Sequence, residues 1–356
     1  MSEKGKTVNT QTQTEKPILS FINKVLNGTA IGIIVGLIPN AVLAALLGVL
    51  GEAPLLVTLG QVIVIFQMVT PLLIGALIAL QFELNPMQMA VVAGAAFVGS
   101  GVVKFNPTLE SYVGAGTGDI VNTMITAAIA VIMVKLLSHR FGSVGIVLNP
   151  IVIGAGGGFI GLLFLPYVVQ ITTAIGAGIN AFTTLQPILM SILIACSFAF
   201  LIISPLSTVA IGMAIQLSGV SAGAAAMGVA ATTLVLVVNS WRVNKSGVTV
   251  AIALGAMKMM MPNLFRHPII MLPCLFTAVI SAIPVALLSI SGVPTSAGFG
   301  LVGLVGPLAS LKAGLSLPFA FIAWFVVPIV SAILAQLLFE KIMKLYDREE
   351  VFGFKQ

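Results

Sequence analysis

From Phe141 to Trp241 the chain carries no Asp, Glu, Lys or Arg. A soluble domain, with roughly 25% charged residues, does not tolerate so long a gap. Only 7% of this chain is charged and 59% is hydrophobic, so most of its surface must face lipid. In hydrocarbon every backbone polar group must be satisfied internally. At about 20 apolar residues per crossing, the chain reads as an all-α polytopic integral membrane protein with about ten membrane segments. The net charge of +6 sits on the ends and a few loops, which suits a cytoplasmic-face signal better than a nucleic-acid surface.

Residues 1–16 read as a disordered cytoplasmic tail, polar and without a signal-peptide pattern. Residues 17–346 read as one membrane domain, and 347–356 as a second cytoplasmic tail. Pro17–Asn27 has the spacing of an amphipathic surface helix. Expected spans follow at Gly28–Leu50, Pro54–Leu80, Met87–Val103 and Ile120–Leu137, with a tight turn at Gly51–Ala53. Lys104–Asp119, with Gly114, Gly116 and Gly118, is the most polar interior loop. Lys and Arg cluster at both ends, at Lys135–Arg140 and at Arg242–Lys245, which places both termini in the cytoplasm.

Two interruptions stand out in the apolar second half. Ser204–Thr208 (SPLST) breaks the run Gln186–Gln216, and Gly292–Gly300 (GVPTSAGFG) ends the run after Pro268. Irregular backbone at membrane depth survives only where protein buries it or a watery cavity faces it. Paired interruptions of this kind point to a midplane solute site. A proline kink capped by Ser and Thr is the plain alternative at the first break. The hydroxyls of Ser204, Ser207, Thr208, Thr295 and Ser296 are candidate donors and acceptors for a small polar solute. Asn263 offers an amide, and Arg266 and His267 offer an anion or sugar contact or else sit in a membrane-surface loop. Lys258, inside the apolar run Val248–Met261, either serves the site or snorkels to the surface.

Asp119 opens a helix, either as a plain N-cap or beside a site. Gly156–Gly161 (GGGFIG) matches G-x-G-x-x-G, but no strand precedes it. The Gly154/Gly158 and Gly157/Gly161 pairs suit close helix packing instead. Gly300, Gly303 and Gly306 fall roughly on one face if that stretch is helical. Cys196 and Cys274 lie in apolar runs as small buried residues. No metal spacing, nucleophile motif or cofactor motif appears, so no catalytic residue and no cofactor is expected.

The stretches LNPIVIGAGGGFIGLLFLP, ISPLSTVAIG, ALGAMKMMMPNLFRHPIIMLP and SGVPTSAGFGLVGLVGP occur in this order. In this the chain resembles membrane IIC components of the bacterial sugar phosphotransferase system, and is most similar to the stand-alone branch that includes PfoR-type regulators. The resemblance implies a homodimer in the bacterial cell membrane. It also implies a scaffold half from early helices, and a transport half with two re-entrant hairpins that moves like an elevator. The tips would be Ser204–Thr208 and Pro294–Gly298, and the solute sugar-like. Glucose-type relatives carry a glutamate at the second tip and a histidine near the first; neither is present here. Phosphorylation, if coupled, is expected from separate IIA and IIB proteins. The rival readings are a membrane sensor with this fold and a transporter independent of phosphorylation.

Overall fold

Proline and short capping side chains set where most helices begin. The computed structural model describes residues 17–50, 53–114 and 116–354. The expected disordered tail 1–16, residues 51–52 of the expected turn and the last two residues lie outside them. Helix α1 runs Pro17–Leu50, so the expected surface helix and first span are one continuous helix. Helix α2 (Pro54–Met68) and α3 (Thr70–Gln81) meet at a 46° bend, where Pro71 opens α3. Helix α4 (Pro86–Gly99) starts with Pro86 at its first turn and a reciprocal capping box between Asn85 and Gln88.

The polar loop folds into an antiparallel hairpin of β1 (Val103–Asn106) and β2 (Ser111–Gly114), two strands that helical periodicity does not announce. Asp119 caps α5 (Ile120–Leu137) by accepting from Asn122 N–H at 2.8 Å. The chain turns at Gly142, whose φ is 51°, and continues through the short α6 (Gly145–Leu148) into α7 (Gly156–Ala181). The second half holds α8 (Pro187–Ile203), α9 (Thr208–Ala214), α10 (Gly219–Ser240), α11 (Ser246–Ala253), α12 (Met261–Arg266) and α13 (Met271–Leu287). It closes with α14 (Val305–Lys312), α15 (Leu317–Phe321), α16 (Val327–Gln336) and α17 (Arg348–Phe352).

Among the described residues, five helical stretches are long and apolar enough to cross a membrane, and a sixth if α2 and α3 form one bent span. Three shorter apolar helices, Pro86–Gly99, Pro187–Ile203 and Val302–Lys312, join them. Exposed Leu55, Val57, Leu59, Val62, Val64, Ile65 and Phe66 cover α2 with apolar surface suited to lipid.

Among the described residues two large buried cores dominate, beside two smaller clusters. One gathers Val25, Ile33, Ile74, Ile78, Val92, Val131 and Ile153 from the first half. The other gathers Ile194, Phe198, Ile211, Met227, Met257, Ile290 and Trp324 from the second. Helix α1 seats on α3 through Gly28, Gly32 and Gly36, where an added Cβ would lie 2.5, 2.6 and 2.3 Å from Ile78, Ile74 and Thr70. Small residues four apart let two backbones approach, and dispersion across that seam does the rest. Of the glycines expected to serve this purpose on α7 and the turn before it, Gly158 and Gly161 are tight against Val98 and Thr126, while Gly154 and Gly157 make ordinary contact.

Gly300 and Gly303 do not share a helix face with Gly306: their φ angles are 59° and 58°, and helix α14 begins only at Val305. The C-terminal segment is also more than a free tail. Val351 and Phe352 are buried against the second core.

Candidate functional site

Both interruptions are real breaks in the helices. Helix α8 ends at Ile203, and Ser204 is extended (φ −71°, ψ 168°), because the following Pro205 disfavours a helical residue before it. Ser204 Oγ donates to Leu201 O at 2.7 Å and accepts from Leu206 N–H at 3.2 Å, satisfying groups the break would otherwise strand. Ser207 caps α9, accepting from Ala210 N–H at 3.2 Å. At seven residues, α9 is far too short to cross a bilayer.

The second break, Gly292–Gly300, folds as turns. Ser296 Oγ accepts from Val293 N–H and donates to Val293 O, each at 2.9 Å. The two breaks touch. Thr208 Oγ1 donates to Gly298 O at 2.9 Å, and a Cβ at Gly298 would lie 2.4 Å from Val209 N. Further along, Gly219 and Gly292 exchange backbone hydrogen bonds of 3.0 and 2.9 Å. The second break is therefore tied to the first through Thr208 and to the start of α10 through Gly219.

Lys258 sits beside the first break. Helix α11 stops before Gly255, whose φ of 129° turns the chain into the buried Met257–Met260 segment. From there the ammonium donates to Ser204 O and, at 2.7 Å, to Leu206 O. Its relative exposure is 7%, so of the two fates open to it, snorkelling is not the one taken. Two carbonyls freed by the Pro205 break thus find a charged donor, and the lysine finds acceptors in an apolar surrounding.

A cavity of about 760 Å³ opens at this point between the two cores. Its walls are Ile33, Leu37 and Asn40 of α1, Gln67 of α2, the two arms of the hairpin loop (Ser100–Val102, Lys104–Pro107, Val113 and Gly116–Ile120), Leu165 and Val169 of α7, and the breaks themselves. Ser207, Thr208, Ala210, Met213, Lys258, Gly298 and Phe299 supply the last wall. Asn40 Nδ2 donates to Gln67 Oε1, holding two amides at the rim of α1 and α2. Asp119 lies in the loop ahead of α5; burial pushes its carboxyl up, and hydrogen bonds from Asn122 and Val121 N–H push back.

The candidate side chains separate into groups. Ser207 and Thr208 line the cavity. Ser204 is buried and contributes its carbonyl to Lys258, and Ser296 is buried with its hydroxyl folded onto its own turn. Thr295 is exposed and outside the cavity lining. Asn263, Arg266 and His267 also lie outside it. Asn263 Nδ2 donates to Val351 O at 2.8 Å and Gly353 O at 2.9 Å, pinning the C-terminal segment. Arg266 Nε donates to Asn23 Oδ1 at 3.2 Å, and His267 terminates α12.

Lining residues that sequence reasoning did not select are Asn40, Gln67, Asn106 and Thr117. A polar residue inside a span was the available signal for Asn40, beside Pro39, and for Gln67. No cluster of three metal-ligating side chains exists among the described residues.

A family model described as "Phosphotransferase system, EIIC" matches residues 23–352. No curated protein and no solved structure matches the chain.

Proposed function

We propose, starting from the fact that this chain belongs to the phosphotransferase-system EIIC family, that it carries a small polar, sugar-like solute through the cavity between its two cores. Membership makes it a multi-pass membrane transporter of the IIC type. One observation carries the finer reading: the first helix break meets the second through Thr208 and Lys258 through Leu206, on one wall of a cavity large enough for a monosaccharide.

Ser207, Thr208, Asn40 and Gln67 offer neutral donors and acceptors at the apolar walls, the composition of a small-molecule site. The ties Thr208–Gly298 and Gly219–Gly292 favour movement of both breaks as one rigid piece against the α1–α5 half. That is an elevator-like exchange of the cavity between the two membrane faces. A homodimer, both termini in the cytoplasm and separate IIA and IIB phosphorylation partners complete the proposal. The PfoR-type branch is proposed with them.

The test is a thermal-shift screen of the purified protein against sugars, sugar acids, polyols and nucleosides. A solute that raises the midpoint in the parent, and does so less in Ser207→Ala, supports the reading. A stabilising solute indifferent to Ser207→Ala and Thr208→Val places the site elsewhere. A sensor with the same fold is the second reading, favoured by the C-terminal segment docked through Asn263 and Asn244 onto the core that bears the breaks.

A further inference from the structure

The cavity wall holds a buried amine with no acidic partner. Lys258 has 7% relative exposure, and its ammonium touches two neutral carbonyls, Ser204 O and Leu206 O. An ammonium has three donors, so one remains for the space it lines. Among the described residues the single ion pair is Arg348 with Glu340, remote from this wall. The cavity lining contains three charged side chains: Lys104, Asp119 and Lys258. Asp119 is committed to the N-terminus of α5, where it accepts from Asn122 N–H at 2.8 Å. Lys104 stands exposed on β1 of the hairpin. Two amines therefore share the lining with one carboxylate, and the buried amine is the one held against the first break.

Burial disfavours the charged form of such an amine, neutral carbonyls offset only part of that, and an anion beside it would restore the ammonium. We propose that the missing counter-charge is the solute's own: the cavity takes a small polyhydroxylated carboxylate, whose acid group docks on Lys258 while its hydroxyls meet Ser207, Thr208, Asn40 and Gln67. This rests on the transport-site reading above and narrows it to an anionic solute. It also accounts for two breaks that carry no glutamate. A carboxylate at either would oppose the incoming group.

Charged thiol reagents test it without knowledge of the solute. Cys196 and Cys274 are replaced by Ala, and Ala210→Cys places a thiol on the cavity wall at the first break. The full-length protein in detergent is labelled with an anionic (sulfonatoethyl) or a cationic (trimethylammonioethyl) methanethiosulfonate. Relative to a free thiol in solution, the anionic reagent is expected to gain roughly tenfold or more over the cationic one. Lys258→Met removes that bias, Lys258→Arg keeps it, and Lys104→Met leaves most of it. Equal relative rates in the parent overturn the anionic-solute inference alone, whether or not Lys258→Met folds. A bias that survives Lys258→Met in folded protein overturns it too. Failure of both reagents to reach position 210 overturns the transport-cavity reading beneath it.

Discussion

Thr208 and Thr295 are both hydroxyls beside a proline-marked break, and the structure gives them different work. Thr208 is buried and bonds Gly298 O across the two breaks. Thr208→Val strands that carbonyl and is expected to cost about 1–3 kcal/mol, seen as a lower thermal midpoint and weaker solute stabilisation. Thr295 is exposed and outside the cavity, so Thr295→Val should stay within about ±0.5 kcal/mol. Equal effects of the two substitutions would contradict this assignment. Asn263 is a structural amide in the same sense. Asn263→Ala leaves two backbone carbonyls of the C-terminal segment without their donor. The expected result is faster tryptic cleavage after Lys344 and Arg348, with solute stabilisation unchanged; unchanged cleavage would mean that the segment is held by Val351 and Phe352 alone. Residue type alone leaves Thr208 and Thr295 equivalent. What separates them is which one the opposite break reaches, and that depends on contacts some 90 positions apart in the chain.

Helices were legible where a local signal marks them. Pro54, Pro86 and Pro187 open helices in the first turn, and Asp119 opens α5 as a carboxylate at the positive helix end should. The breaks at Pro205 and at Gly292–Gly300 were legible for the same reason. The hairpin of β1 and β2 was not, because its strands are only four residues long: Val103–Asn106 alternates apolar and polar, but over too few residues to set a strand apart from a polar loop. The glycine seam of α1 was present as a four-residue repeat, but its partner, α3, becomes evident only in the packed fold. It yields a prediction with opposite signs at two glycines. Gly32→Ala puts a Cβ 2.6 Å from the Ile74 backbone and should destabilise by roughly 1–3 kcal/mol. Gly94→Ala on α4 meets nothing within 4 Å and should be neutral or stabilising by up to about 1 kcal/mol, since alanine favours the helix. Thermal unfolding of both variants in detergent decides it; a stable Gly32→Ala would mean that α1 does not depend on this close approach.

The whole molecule is two apolar cores with a cavity between them, and its class was readable from the scarcity of charge long before any contact was known. The cavity itself was less legible. Its walls come from α1, α2, the hairpin loop, α7 and both breaks, so no single window of sequence contains it. Lys258 and the Lys104–Asp119 loop stood out as polar features, but their convergence on one space is a property of the fold. The central claim is that this space is handed from one membrane face to the other as the tied breaks move. The most direct measurement is sided labelling of Ala210→Cys, without Cys196 and Cys274, by a small membrane-impermeant thiol reagent in right-side-out and inside-out vesicles. Ala226→Cys, fully buried in α10, serves as the reference. The account predicts that position 210 reacts from both faces and position 226 from neither. Reaction of position 210 from one face only would contradict alternating exposure and leave a fixed pocket.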